Sequence, residues 1–256
     1  MKVISIFNQK GGVGKTTTSI NLCAFLALNG YKVLSIDIDP QGNTTSGLGF
    51  DKRSIDTSVY DVLTSDASID SAIKKCELVE NFFLVPSTIE LAGAEVELIS
   101  IPKRENILKN KLARMEQKFD FVFIDCPPSL GVLTVNALTA SDSVFIPIQC
   151  EFYALEGVGQ LLNTINLVKK SLNRDIEVEG VLLSMFDSRA RLANEVMNEV
   201  KAHFKDKVYE TVIPRNIRLA EAPSYGLPIM LYDDKCKGSE AYEQLAKEFI
   251  IRQGGK

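Results

Sequence analysis

The chain has 256 residues, 45% of them hydrophobic and 24% charged, which suits a substantial α/β core and excludes general disorder. Its 29 basic and 33 acidic side chains leave a net charge of −4. That balance excludes a uniformly basic nucleic-acid binder but leaves room for a local basic patch. Five cysteines with no C-x-x-C pair and a single histidine make a zinc site or a histidine-based triad unexpected, and the thiols read as the reduced cysteines of a cytoplasmic protein.

The first apolar run, residues 2–7, turns polar at Asn8, too early for a secretory apolar region, and no run approaches the ~20 residues that span a bilayer. Further strands are expected at 33–36, 82–85, 121–124, 144–148, 178–183 and 208–213. Most are apolar at nearly every position, as strands are when helices cover both faces of a parallel sheet. Helical periodicity fills the intervals 15–29, 104–118, 134–140, 155–172, 190–204 and 240–252, the first ending at Asn29-Gly30, a good C-terminal stop. The stretch 39–87 is less regular and should hold short helices and functional loops. The alternation predicts one doubly wound, mostly parallel α/β domain over 1–256.

The first strand runs into Asn8-Gln9-Lys10-Gly11-Gly12-Val13-Gly14-Lys15-Thr16-Thr17 and then a helix. Strand, glycine loop and helix start, in that order, form the context of a phosphate-binding loop. Glycines let successive N–H groups turn inward around an anion, and the helix dipole adds partial positive charge. In that motif Lys15 holds the β- and γ-phosphates of ATP and the Thr16 hydroxyl ligates Mg²⁺. The general pattern would put glycine at position 9, where this chain has Gln9, and a second lysine follows as Lys10.

The second strand carries Asp37 and Asp39 toward its carboxyl end. Period-two alternation puts them on one face, toward the crevice where α/β sheets bind ligands, and Pro40 should end the strand. The run 121–124 ends in Asp125 followed by Cys126-Pro127-Pro128, the Walker B pattern. There Asp125 would reach Mg²⁺ through water, and Pro127 and Pro128 would open a switch that senses the γ-phosphate.

The loop Lys10-Gly11-Gly12-Val13-Gly14-Lys15-Thr16-Thr17 resembles the deviant Walker A loop of the ParA, MinD and nitrogenase-iron-protein superfamily. The likeness to its ParA/Soj branch extends through Asp39-Pro40-Gln41-Gly42-Asn43-Thr44-Thr45-Ser46-Gly47-Leu48-Gly49, the segments 89–95 and 150–157, Ile213-Pro214-Arg215-Asn216 and Ala220-Glu221-Ala222-Pro223-Ser224, covering essentially the whole chain. The resemblance implies a weak, partner-stimulated ATPase that closes into a nucleotide-sandwich homodimer, with Lys10 reaching the partner's ATP. It makes Asp39 the residue that orients the attacking water and approaches the metal through water, with Asp37 supporting the metal shell. Pro214 and Asn216 would contact adenine, and Arg189 and Arg218 would bind double-stranded DNA without sequence preference. A ParB-type centromere-binding protein is the implied partner, and association with the nucleoid in the ATP state the implied location.

The phosphate loop begins about ten residues in, so an N-terminal operator-binding domain is not expected. A MinD-type membrane switch should end in a basic amphipathic helix, whereas the segment 241–252 mixes acids with few bases. An iron–sulfur electron carrier would need a cysteine to accompany Cys126. From a different class, a nucleotide-gated adaptor that regulates replication initiation remains the alternative.

Overall fold

A computed structural model describes residues 1–151 and 154–255, the side chains of 154–156 excepted. Phe152 and Tyr153, within the motif segment 150–157, lie outside the described residues. The first half of the chain forms β1 (Lys2–Ile6), α1 (Lys15–Leu28), β2 (Val33–Asp37), α2 (Asn43–Gly47), α3 (Val59–Thr64), α4 (Ile69–Ala72), β3 (Lys74–Lys75), β4 (Phe82–Val85), α5 (Leu91–Glu97) and α6 (Ile107–Ala113). The second half adds β5 (Phe121–Asp125), α7 (Val132–Ala140), β6 (Ser143–Gln149), α8 (Ala154–Ser171), β7 (Glu177–Phe186), α9 (Arg191–Phe204), β8 (Val208–Pro214), α10 (Ile217–Glu221), α11 (Ile229–Tyr232) and α12 (Lys237–Arg252).

Among the described residues the strands make one eight-stranded sheet in the order β3-β4-β2-β5-β1-β6-β7-β8. Every pairing is parallel except β3 with β4. The β2 and β5 strands are buried at every residue, which is the physical reason their sequences are apolar without alternation. Successive side chains still part to opposite faces. Val3, Leu34, Ile36, Val122 and Ile124 share one core with the apolar sides of α3 to α9. Ile4, Ile6, Val33, Phe121 and Phe123 share the other with α1 and α12. Each such side chain contributes about 1.5–3 kcal/mol when fully buried.

The central strand β1 is tied at both ends. At its start Lys2 forms an ion pair with Glu179 at 2.7 Å and donates to the side chain of Gln253 at 2.7 Å, while the Val3 N–H donates to Asp142 at 2.7 Å. At its end the Phe7 N–H donates to the Phe145 carbonyl and the Asn8 amide to the Pro147 carbonyl, at 3.0 and 2.8 Å. The loop that follows β1 therefore starts from a fixed base.

Three expectations need correction. The edge strand β3 is unforeseen, because two lysines carry no apolar pattern, although lysine suits an exposed sheet edge. The helix expected over 104–118 is only α6, preceded by a tight turn at Arg104–Asn106. It stops early because the Asp70 carboxylate accepts the N–H groups of Glu116 and Gln117 at 3.0–3.2 Å, and Met115 and Phe119 turn into the core. Asp37 and Asp39 do not share a strand face, since β2 ends at Asp37 and Asp39 lies beyond it. Among the described residues no helix is long and apolar enough to cross a membrane. The terminal helix α12 buries Tyr242, Leu245, Ala246, Phe249 and Ile250 in the core.

Candidate functional site

The carboxyl ends of β1, β2, β5, β7 and β8 converge on a cavity of about 430 Å³. The loop after β1 turns through Gly12 at φ 76° and Gly14 at φ 92°. These left-handed conformations are open to glycine and costly for other residues. Gly14 immediately precedes α1, so Lys15, Thr16 and Thr17 occupy its first turn, where backbone N–H groups lack helical partners and favour an anion.

Lys15 is buried, and its ammonium donates to the Lys10 carbonyl at 3.0 Å. Burial pulls its pKa below the usual lysine value, with the negative charges of Asp125 and Asp39 opposing that shift. A lysine held this way gains from any anion that enters. Lys10 itself points elsewhere: its ammonium is ion-paired with Glu151 of the same chain, while its N–H donates to Asn8 at 3.0 Å. Val13 is buried, and its carbonyl accepts the Ser184 hydroxyl at 2.8 Å.

Behind the loop lies a buried carboxylate. Asp125, at the end of β5, accepts the hydroxyls of Thr16 and Thr44 on one oxygen at 2.8 and 2.7 Å. Among the described residues its other oxygen is buried without a partner. Burial raises its pKa despite those two hydrogen bonds. Asp37 is its register neighbour on β2, and burial, reinforced by the Asp125 charge, raises its pKa as well. An orphaned carboxylate oxygen beside a threonine hydroxyl fits a small divalent cation. Magnesium characteristically takes one or two carboxylates and completes its shell with water and phosphate, so this donor set fits it without a closed cage of protein ligands.

Gly11, Gly12, Gly14, Lys15, Thr16, Thr17, Asp39, Pro128, Pro214 and Asn216 all line the cavity. Lys10, Val13, Asp37, Asp125 and Pro127 do not; they stand behind or beside it. Asp37 is turned from the cavity, its carboxylate taken by the N–H and hydroxyl of Thr45 at 2.8 and 2.7 Å. The side-chain oxygen of Asn216 caps α10 by accepting the Arg218 N–H at 2.8 Å, which leaves its NH₂ group as the donor for a ligand. Arg189 and Arg218 lie outside the cavity, both exposed. Arg189 forks onto Asp187 at 3.0 and 2.9 Å, and Arg218 pairs with Glu221 at 2.9 Å and Asp233 at 3.3 Å.

Several lining residues are not signalled by the sequence reasoning: Gln41, Asn43, Met185, Leu219 and Tyr242. Gln41 and Asn43 belong to the motif segment 39–49 and were within reach. Met185 holds φ 49° at the end of β7, a conformation disfavoured for a side chain of its kind and common at ligand sites; nothing in its sequence neighbourhood signals it. Tyr242 comes from α12 and meets the Thr18 hydroxyl at 3.1 Å under the cavity. In its shape the site is a polar, cation-bearing end joined to an apolar slot, suited to a nucleoside triphosphate.

A family model described as an AAA domain matches residues 1–178. The sporulation initiation inhibitor protein Soj of Bacillus subtilis is 60% identical over 247 residues, covering 96% of this chain and 97% of the relative. The chromosome partitioning protein ParA of Myxococcus xanthus is 51% identical over 255 residues, covering 100% and 90%. Among solved structures, cobyrinic acid a,c-diamide synthase from Mycobacterium smegmatis with bound ADP and magnesium is similar at a TM-score of 0.86 and 38% identity, covering 99% of this chain and 96% of that one.

Proposed function

Because the chain belongs to the ParA/Soj family of chromosome-partitioning ATPases, we propose that it is an ATP-hydrolysing switch for DNA segregation. One observation carries this reading: Lys15, Thr16 and Asp39 line one cavity together with Pro214 and Asn216, and Thr16 is hydrogen-bonded to Asp125 behind it.

ATP binds with its phosphates over Gly11–Thr17 and its base between Pro214, Asn216 and Met185. Lys15 neutralises the β- and γ-phosphates, exchanging a carbonyl partner for a far stronger anionic one. Thr16 would hold magnesium directly, with Asp125 and Asp39 through water; bound there, the ion would neutralise charge on the phosphate oxygens. Asp39 orients the attacking water. A carboxylate is ordinarily too weak a base at neutral pH to do much more, so its contribution is positional. Lys10 leaves Glu151 and reaches across to the nucleotide of a second subunit, so that ATP closes a homodimer.

The closed dimer binds double-stranded DNA through Arg189 and Arg218, and hydrolysis stimulated by a ParB-type partner opens it. Two subunits double whatever basic patch one possesses, which makes DNA affinity depend on nucleotide state. Asp39→Ala tests the core of the cycle by light scattering coupled to size exclusion. It should remain dimeric with ATP and bind DNA while turning over about a hundredfold more slowly; wild-type turnover in that variant would refute the assignment. Turnover measured with and without DNA and a ParB-type protein separates the segregation switch from the gated adaptor: stimulation supports the first, and its absence under every condition the second.

A further inference from the structure

Asp39 is held from behind by residues that do not line the cavity. Its N–H donates to the Asp37 carboxylate at 3.3 Å, and its carbonyl accepts the Gly42 N–H at 2.8 Å and the Ser87 hydroxyl at 2.7 Å. Ser87 is in turn fixed by its own N–H, which donates to the Thr45 hydroxyl oxygen at 2.9 Å. That same hydroxyl donates to Asp37 at 2.7 Å. Asp37, Thr45 and Ser87 are all fully buried, and they come from three segments: the end of β2, the middle of α2 and the loop after β4.

An ordinary buried network would exist to satisfy polar groups, but the Asp39 carbonyl already has a partner within its own turn, the Gly42 N–H. The Ser87 bond is a second one on the same oxygen; it satisfies the buried Ser87 hydroxyl and also fixes the orientation of the peptide group. With the peptide groups on both sides of residue 39 held, its side-chain torsions place the carboxylate, and the Gln41 N–H restrains them by donating to it at 2.9 Å.

We propose that Thr45 and Ser87 are positioning residues for the hydrolytic step, forming with Asp37 a clamp on the main chain of Asp39 that aims its carboxylate at the attacking water. This rests on the hydrolytic reading of Asp39 given above. A misplacement of about 1 Å can cost on the order of a hundredfold in rate while leaving substrate affinity intact, and that separation is the signature of a clamp.

The test is single-turnover hydrolysis of magnesium ATP by the full chain, with the dissociation constant of a slowly hydrolysed ATP analogue measured alongside. Ser87→Ala and Thr45→Val should slow hydrolysis about ten- to a hundredfold and leave the analogue's affinity within about threefold. Thr45→Ser keeps the hydroxyl and should restore the rate. Added to Asp39→Ala, the Ser87→Ala change should cost nothing further, because both act through one carboxylate. Unchanged hydrolysis in Ser87→Ala overturns the clamp, as does a parallel loss of rate and affinity that Thr45→Ser fails to rescue. Should Thr45→Val fail to fold, Ser87→Ala decides alone. Normal turnover in Asp39→Ala would instead sink the hydrolytic reading itself; an inactive Asp39→Ala beside a fully active Ser87→Ala would sink only the clamp.

Discussion

Lys15 is an uncomfortable residue. It is largely buried, and a main-chain carbonyl is a modest partner for its full charge. Lys15→Ala should weaken nucleotide binding by about a hundredfold, given the ~1.5–3 kcal/mol contributed by one charge-assisted hydrogen bond. The melting temperature of the ligand-free protein should hold or rise, since burial is the chief cause of the depressed lysine pKa. Calorimetric titration and a thermal melt of the same sample check both halves; a large loss of ligand-free stability would make Lys15 a structural residue. At this scale the sequence was most informative where a backbone motif dictates the chemistry. Gly12, Gly14, Lys15 and Thr16 were legible because their spacing encodes a loop that few other structures use. Met185 and Tyr242 were not, because they arrive from β7 and α12 by tertiary packing alone. Asp37 and Asp39 part because strand alternation does not continue past the point where the chain turns.

Among the elements, the end of α12 is joined to β1 and β7 by Glu179. Burial pushes its pKa up, but hydrogen bonds from Lys2, Ser143 and Gln253 outweigh that and bring it below the usual glutamate value. A depressed carboxylate stabilises the fold above its unfolded pKa, and the contribution disappears as pH falls through the folded one. Glu179→Gln should therefore lower stability by about 1–3 kcal/mol at neutral pH. The difference from the unsubstituted protein should close as pH falls below ~4. Denaturant midpoints at a series of pH values measure this, and a gap that persists in acid would mean that shape, not charge, is what Glu179 supplies. The strands were readable as uninterrupted apolar runs because both faces of the sheet are covered. The early stop of α6 was not, because the carboxylate that takes the N–H groups just beyond its end, Asp70, lies 46 positions away in sequence.

For the molecule as a whole, the two arginines proposed to bind DNA are each already engaged by carboxylates, Asp187 for one and Glu221 with Asp233 for the other. Such exposed pairs are weak, so a polyanion can displace them at little cost. Arg189→Glu with Arg218→Glu should leave the ATP dimer intact on size exclusion while reducing DNA affinity. The logarithmic salt dependence should flatten by roughly one unit for each phosphate that is no longer neutralised; an unchanged slope would move the DNA surface elsewhere. The anchoring of β1 has a mechanical corollary. A strand paired on both sides and bolted from Lys2 to Asn8 behaves as an anvil: the blow of gaining or losing a phosphate cannot be absorbed there. Recoil must travel instead into the lighter, largely exposed segment 127–131. Amide exchange should show it, with β1 equally slow in either nucleotide state and Ser129 to Gly131 changing pace.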